Sequence, residues 1–324
     1  MEKDVIVKNV NTKQPVDQIK SKWWAQPKNE VYRHVFGVVS AIEQNQSYRS
    51  LRNIQYARLY SNMDFKGFYG TQFSRTLNPL LSSNRVTLNV IKACVDTAGA
   101  KIAKNKPKPL FLTDNGDYSQ QTKAKNLTKY IEGLFHSEDV YAKAQQIFTD
   151  GAVWGTGCLK IFKDEQSGQV KIERVLIDEI KVDDSEGMYG EPRQIHQTKY
   201  IHREILADMF PDNQVKIYAA TGGIKDEGTQ ASSADMIKVI ESWHLPSGEG
   251  SADGKHAISI ENDTLFEEEY TKNYFPFVFW RWSPRLFGFF GSGIPEEIRG
   301  LQIEINKHLI NIQRAQHLQS HPKW

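Results

Sequence analysis

The chain has 324 residues, enough for two domains or one large elaborated domain, and its 39% hydrophobic and 25% charged content is typical of a globular protein. No apolar run approaches the roughly 20 residues that a membrane span needs, and the first residues lack the apolar core of a signal peptide. We therefore predict a soluble, intracellular protein with no membrane partner. Its two cysteines, Cys94 and Cys158, exclude a disulfide framework and a four-cysteine zinc site.

The small net charge of +2 hides an asymmetry along the chain. Residues 1–110 contain 18 Lys and Arg against 7 Asp and Glu, a net charge of +11, whereas the other 214 residues carry −9. Such an uneven distribution of charge indicates that a polyanion or an acidic partner binds near the basic part of the chain. The alternative is that the basic residues only form a solvated helical surface.

Residues 1–30 are polar and resemble an extended arm, apart from the adjacent rings of Trp23 and Trp24. Two large apolar rings in a polar segment predict docking onto this chain, a neighbouring subunit or another protein.

Residues 30–61 show a helical period, and the second part of this segment carries three arginines away from its apolar stripe, Arg49, Arg52 and Arg58. Arginines interleaved with tyrosines can bind nucleic acid through charge and stacking, so these three form a candidate basic helix that faces DNA or another partner. A helix surface whose arginine stems cover apolar side chains is the alternative.

Three further helices are predicted before the composition changes. The first begins with Asn84 as N-cap and ends before Pro107, and it carries Cys94 on its apolar face, which predicts a buried, unreactive thiol. The others cover residues 117–136 and 138–155, and a turn follows at residues 155–157.

Strand patterns then alternate with turns. Period-two alternation predicts a hairpin over residues 158–176 and another that turns at residues 262–263, with a strand at 236–245 and an aromatic strand at 275–284. A short helix ends before Pro211, and residues 220–235 have the composition of a loop. Helices first, then strands with short helices, then one long helix indicate an α+β fold.

A glycine-rich loop precedes the final helix and contains four residues typical of a sharp turn: Gly288, Gly291, Gly293 and Pro295. A phosphate-binding loop would need a Lys and a Ser or Thr at its end, and this loop has neither. Glu296 and Glu297 already complement the helix dipole and would repel a phosphate. We therefore predict a strand-to-helix turn and no phosphate site.

Two other groups of residues suggest metal chemistry only weakly. His317 and His321 have the i, i+4 spacing of helical metal ligands but no third ligand nearby, so we interpret them as exposed histidines. Asp183 and Asp184 follow a strand and could hold Mg²⁺ in a nuclease, although an ordinary acidic turn explains them as well. With no catalytic motif in the sequence, we predict no enzymatic activity, no metal and no cofactor.

Four segments resemble, in their order and in their amino-acid sequences, the portal proteins of tailed bacteriophages. They are the helix NRVTLNVIKACVDTAGAKIAKNKPKP, the helix-to-strand break FTDGAVWGTGCLKIFKD, the stretch VLIDEIKVDDSEGMYGEPRQIHQTKYIHREILADMFP, and the aromatic strand, turn and helix FPFVFWRWSPRLFGFFGSGIPEEIRGLQIEINKHL. Together the segments span about residues 84–312.

The resemblance implies a portal-like α+β architecture. It places an N-terminal arm and helices at residues 1–83, a mixed α/β wing with antiparallel hairpins at 84–290, and the start of a long stem helix at 291–324, with the glycine turn between wing and stem. On the stem helix, uncharged polar side chains that suit a DNA channel are Gln302, Asn306, Gln313 and Gln316. Portal chains continue beyond the stem into a clip and a crown, so this chain is expected to be truncated or unusually short.

The resemblance also implies a function without catalysis. Portal proteins form a homo-oligomeric, usually dodecameric, ring at one capsid vertex of the virion, assembled in the host cytoplasm. The implied partners are double-stranded DNA passing through the channel, the major capsid protein, the large terminase and a head–tail adaptor. Two alternatives stay open: another virion or scaffold-interaction protein with a similar α+β core, and a Mg²⁺-dependent nuclease that uses Asp183 and Asp184.

Overall fold

The computed structural model describes residues 22–62, 86–164, 168–220, 235–248 and 250–319. Within these ranges the α-helices are α1 (Lys28–Asn45), α2 (Ser47–Tyr60), α3 (Val90–Ala103), α4 (Tyr118–Ser137), α5 (Val140–Trp154), α6 (Arg203–Met209), α7 (Gln214–Ala219) and α8 (Ile294–Gln319). Short 3₁₀ helices cover Trp23–Ala25, Ile177–Glu179, Glu186–Tyr189 and Pro211–Asn213.

The strands are β1 (Thr156–Lys163), β2 (Val170–Val175), β3 (Ile180–Lys181), β4 (Gln194–His202), β5 (Met236–His244), β6 (Lys255–Ile260), β7 (Asp263–Glu269) and β8 (Phe277–Arg281). They form a three-stranded sheet in the order β2-β1-β8 and a five-stranded sheet in the order β3-β4-β5-β6-β7. The predicted α+β class, both predicted hairpins and the long C-terminal helix are confirmed. The predicted loop over 220–235 lies almost wholly outside the described residues.

The chain divides into two compact units that are discontinuous in sequence. The sheet unit comprises Met1–Asn45, Lys181–Asp183 and Pro192–Phe275, and the helical unit comprises Gln46–Ile180, Asp184–Glu191 and Pro276–Trp324. This division differs from the predicted boundaries at 83 and 290, because the chain crosses between the units several times.

In the sheet unit, strands β4 to β7 pair antiparallel, and α1 packs its apolar stripe against them. Trp23 is fully buried in this packing, and its Nε1 donates to Oε1 of Gln194 at 3.1 Å. Trp24 stacks on the ring of His244 with a centroid distance of 3.9 Å. The predicted docking of the two tryptophans is therefore onto this chain itself.

A second apolar cluster of the sheet unit lies where α6 and α7 contact the strands, and it contains Leu206, Ile217, Ile237 and Ile260. Arg203, at the start of α6, contacts both Asp235 and the end of α7. It forms a bidentate ion pair with Asp235, and its Nη1 donates to three carbonyl oxygens at the C-terminal end of α7. A cation at those carbonyls satisfies the unpaired acceptors and complements the helix dipole.

In the helical unit, β1 pairs antiparallel with β2 and β8, and helices α2, α3, α5 and α8 enclose one core. The buried members of this core are Tyr56, Leu59, Ile91, Val95, Ala152, Val153 and Ile294. The helical pattern predicted over residues 30–61 is confirmed and comprises two helices, since α1 ends at Asn45 and α2 begins at Ser47. Between them Gln46 is buried, and its Nε2 donates to Asp184 at 2.8 Å.

The start of α3 corrects two predictions. The helix begins at Val90, and the Asn89 side chain caps it by accepting from the Lys92 amide at 2.9 Å; Asn84 lies outside the described residues and six positions before the helix. Cys94 is exposed rather than buried, because the buried face of α3 is narrow. The other thiol, Cys158, is buried, and burial raises its pKa.

Candidate functional site

The glycine turn that follows β8 is held against the end of α5. The backbone of Gly291 approaches that of Gly155 so closely that a Cβ on either residue would overlap the other's carbonyl group. Gly155 also has a φ of +88°, and its carbonyl accepts from the Trp282 amide at 3.1 Å. The amide of Gly291 donates to Oγ1 of Thr156 at 2.8 Å. Two glycine motifs that the sequence analysis treated separately are therefore one structural unit.

The remaining turn residues fix the direction in which the chain enters α8. Gly288 has a φ of +101°, which favours glycine, and its amide donates to the carbonyl of Met188 at 2.9 Å. Gly293 packs against carbonyl oxygens of α5, where a Cβ would lie 2.7 Å from two of them. Pro295 is buried in the first turn of α8, where its lack of an amide hydrogen costs nothing. The predicted strand-to-helix turn is present at these residues.

The turn and α2 together enclose a cavity, which we name the arginine pocket. Its volume is about 210 Å³, and all its lining residues belong to the helical unit. They are Arg49, Arg52, Asn53, Tyr56, Trp154, Ile177, Asp184, Arg285, Gly288, Phe289, Phe290, Gly291 and Glu296. The structure thus brings two of the three predicted basic-helix arginines together with the predicted glycine turn.

Each of these three arginines lies against the protein. The Arg49 guanidinium lies over the Phe290 ring at 3.7 Å from its centroid, and burial lowers the pKa of Arg49. Arg52 pairs with Glu296 at 3.4 Å. Arg58 is only 5% exposed, which argues against the predicted contact of this side chain with DNA. The alternative of arginine stems covering apolar surface fits Arg58 and Arg49 better.

Glu296, in the first turn of α8, is the main carboxylate of the pocket. Arg285 holds both of its oxygens, one of them at 2.6 Å, and Arg52 approaches the same carboxylate. A carboxylate in the first turn of a helix complements the helix dipole and is further stabilised by the two cations. These contacts tie the glycine turn and α2 to the start of α8.

Gln302, predicted to line a channel, has a different role. It is 3% exposed, and its Oε1 accepts from the amides of Val90, at 2.7 Å, and Ile91, at 3.3 Å. Its Nε2 donates to the carbonyl of Leu88 and to Oδ1 of Asn306. Gln302 therefore caps the N-terminus of α3 from another helix, which contradicts an open, channel-lining position.

The other predicted channel residues lie further along α8. Asn306 accepts from the Leu88 amide at 3.2 Å and is half-buried, whereas Gln313 is half-buried and Gln316 is exposed. A channel-lining role for these three side chains stays a prediction.

The residues with possible metal chemistry are not assembled into a site within the described ranges. Asp184 is exposed and accepts from Gln46, and Asp183 is half-buried. His317 is exposed on α8, and His321 lies outside the described residues. Where side chains are described, no group of three or more His, Cys, Asp or Glu residues could hold a metal ion.

A buried ion pair that was not predicted from the sequence joins α5 to β2. Asp150 is 3% exposed on α5, and Arg174 of β2 donates to both of its oxygens, at 2.6 and 2.5 Å. Burial raises the pKa of Asp150, and the guanidinium opposes that rise. The available signal was an aspartate within the apolar stretch of residues 147–154. This pair fastens α5 to the three-stranded sheet that leads into the glycine turn.

No protein-family model and no curated protein matches this chain. In the part of the chain that the structure describes, no helix is long and apolar enough to cross a bilayer.

Proposed function

We propose that this protein is a portal-type subunit of a tailed bacteriophage. It assembles into a closed, usually dodecameric ring at one capsid vertex of the virion, through which double-stranded DNA enters and leaves. The ring is a platform for the major capsid protein, the large terminase and the head–tail adaptor. The role is structural and involves no catalysis.

The observation that carries the proposal is the path of the chain through the helical unit. Helix α5 breaks at Gly155 and enters β1, β8 returns beside β1, and the glycine turn leads into α8. This order supports the resemblance, since three of the four portal-like segments belong almost wholly to this one packed unit, and the segment over residues 175–211 lies largely in the sheet unit. A rigid turn gives the 26-residue α8 a fixed direction, which a channel wall requires.

Exposed apolar side chains on two long helices of the described part of the chain support an oligomer. Beyond its packed first turns, α8 exposes Leu301 at 68%, Ile312 at 55% and Leu318 at 76%. Helix α4 has 20 residues and none of them is buried, with Leu127 and Tyr130 among its exposed side chains. Helices of this length need an apolar partner to be stable. Neighbouring subunits in a ring supply such partners through repeated heterologous contacts.

The role of α8 in assembly can be tested by light scattering coupled to size-exclusion chromatography. The wild-type chain is expected to elute as one discrete oligomer over about a hundredfold range of concentration. A double variant, Leu301→Glu with Ile312→Glu, places charge on the exposed apolar stripe and is expected to yield monomers. The matched control, His308→Glu with Asn311→Glu, adds the same charge at exposed polar positions of α8 and should assemble as the wild type does.

Three results would contradict the proposal. The wild-type chain could be monomeric at every concentration, the Leu301→Glu, Ile312→Glu variant could still assemble, or this variant and its control could lose assembly to the same extent. A discrete oligomer without a closed ring would favour the alternative of another virion or scaffold-interaction protein. No observation favours the Mg²⁺-dependent nuclease, since the described residues contain no group of three or more His, Cys, Asp or Glu that could hold a metal ion.

A further inference from the structure

The arginine pocket is lined by more cationic than anionic side chains. Three guanidinium groups and two carboxylates line it. Both carboxylates are engaged: Glu296 by Arg285 and Arg52, and Asp184 by the amide of Gln46 at 2.8 Å. The third cation is Arg49, and the nearby charges of Asp178 and Asp184 oppose the lowering of its pKa by burial.

Arg49 forms no ion pair with any residue that the structure describes. One of its terminal nitrogens, Nη2, donates to the neutral amide oxygen of Gln46 at 2.9 Å and, more weakly, to the carbonyl of Ile180 at 3.5 Å. One face of the guanidinium is covered by the Phe290 ring. The charge is therefore partly desolvated, and Asp178 and Asp184 act on it without forming an ion pair. An anion in direct contact with the guanidinium would stabilise it further.

Two donors at the pocket are also unsatisfied. The Nε atoms of Arg49 and Arg52 are both buried and have no hydrogen-bond partner in the described part of the chain. Buried polar groups normally find partners, so two orphaned donors on neighbouring cations need an explanation. A ligand with several acceptor oxygens would supply partners to both, and planar guanidinium groups match the geometry of phosphate and carboxylate oxygens.

The size and walls of the pocket limit what it can hold. A volume of about 210 Å³ is below the roughly 300–1,000 Å³ of pockets for drug-sized ligands, so it suits a small anionic group. Tyr56, Trp154 and Phe289 form apolar walls. Such walls lower the local dielectric and strengthen the attraction between a cation and an anion.

We propose that the arginine pocket binds an oxoanion, a phosphate or a carboxylate group, through Arg49 and Arg52. Glu296 by itself would repel such a group, but in the pocket its charge is offset by the ion pairs with Arg285 and Arg52. This site is separate from the assembly surface of α8 and does not depend on the portal-type function. The glycine turn forms one wall, so an occupied pocket also stabilises the junction between β8 and α8.

The proposal is tested by isothermal titration calorimetry of the whole chain with sodium phosphate and, separately, sodium acetate, against sodium chloride at equal ionic strength. At least one oxoanion is expected to bind saturably and to raise the melting temperature, and chloride is not. The phosphate and acetate arms show which oxoanion the site prefers. Arg49→Gln and Arg52→Gln should each weaken binding by about tenfold, because hydrogen bonds to charged groups are the strong ones.

Arg314→Gln, at an exposed arginine of α8, is the matched control and should bind as the wild type does. Circular dichroism establishes that each variant is folded, and Arg49→Lys, which keeps the charge but lacks the planar fork, replaces Arg49→Gln if that variant does not fold. The proposal is overturned if neither oxoanion binds saturably to the wild type. It is also overturned if Arg314→Gln weakens binding as much as the pocket variants do.

Discussion

The buried histidine beside Trp23 makes the stability of the sheet unit depend on pH. His196 is fully buried, its Nδ1 lies 2.7 Å from Oγ of Ser242, and its Nε2 has no hydrogen-bond partner among the described residues. Burial lowers its pKa to about 4, against an ordinary value of 6.5. Between these values the unfolded chain binds a proton that the folded chain does not.

The sign and size of the effect follow from this difference. Because the neutral form is favoured in the folded state, the contribution of His196 is fully present above pH 6.5 and is lost as the pH falls toward 4. Between pH 8 and pH 5 the free energy of unfolding should fall by about 2 kcal/mol from this residue alone. Burial also lowers the pKa of His244, which acts in the same direction.

The assay is urea unfolding followed by tryptophan fluorescence at pH 5, 6, 7 and 8. Carboxylates also contribute to acid sensitivity, so the informative quantity is the difference between the wild type and His196→Asn. We expect the variant to be less stable at pH 8 but to lose about 2 kcal/mol less than the wild type on going to pH 5. His308→Asn, at an exposed position of α8, should keep the wild-type pH dependence. Equal pH dependence in wild type and His196→Asn would refute the reasoning.

Three further substitutions should lower the free energy of unfolding in the helical unit. Gln302→Ala leaves the first amides of α3 without acceptors and should cost about 2 kcal/mol. Arg174→Ala leaves the buried carboxylate of Asp150 without its cation and should lower the free energy of unfolding by about 3 kcal/mol at pH 7. The decrease should be smaller at a pH low enough to protonate that carboxylate. Gly155→Ala adds a Cβ that overlaps another backbone segment at a positive φ and should cost more than about 2 kcal/mol.

Each of these predictions has a control that separates its mechanism from a general effect of mutation. Gln313→Ala removes the side-chain amide of a half-buried glutamine on the same helix and should be nearly neutral. Lys163→Ala removes a cation at the exposed end of β1 and should cost under about 1 kcal/mol. Gly168→Ala shares a positive φ but has open space around it, so it should cost only about 1 kcal/mol. Chemical denaturation at pH 7 gives the free energy of unfolding of all six variants. If a control loses as much stability as the variant it is paired with, the mechanism assigned to that variant is contradicted.

Local periodicity predicted most of the secondary structure. Two hairpins and two helices were predicted correctly, because the periodicity and turn residues that indicate them lie within a few neighbouring positions. They are the strands on either side of residues 166–169 and 262–263 and the helices near 117–136 and 138–155. The break at Gln46 could not be predicted in this way: no Gly or Pro marks it, and the bond that holds the residue there comes from Asp184, 138 positions later. The exposure of Cys94 was mispredicted because the apolar face of α3 in the sequence is wider than the face that packs.

The candidate site was predicted in parts but not as a whole. The glycine turn and the arginines were each identified from the sequence, yet their meeting in one pocket depends on contacts between distant segments, such as Arg49 with Phe290. The role of Gln302 was mispredicted for the same reason, since its backbone partners lie at residues 88–91, around the start of α3 and more than 200 positions earlier in the chain. A cue was present in the glycines at 155 and 291, since close approach of two backbones requires glycine on both sides.

We propose that copies of this chain close into a ring, which negative-stain electron microscopy of the purified protein would make visible. Closed rings should give class averages with rotational symmetry around an open centre and a single subunit number in most particles. Particles of monomer size, or oligomers without rotational symmetry, would contradict the proposal.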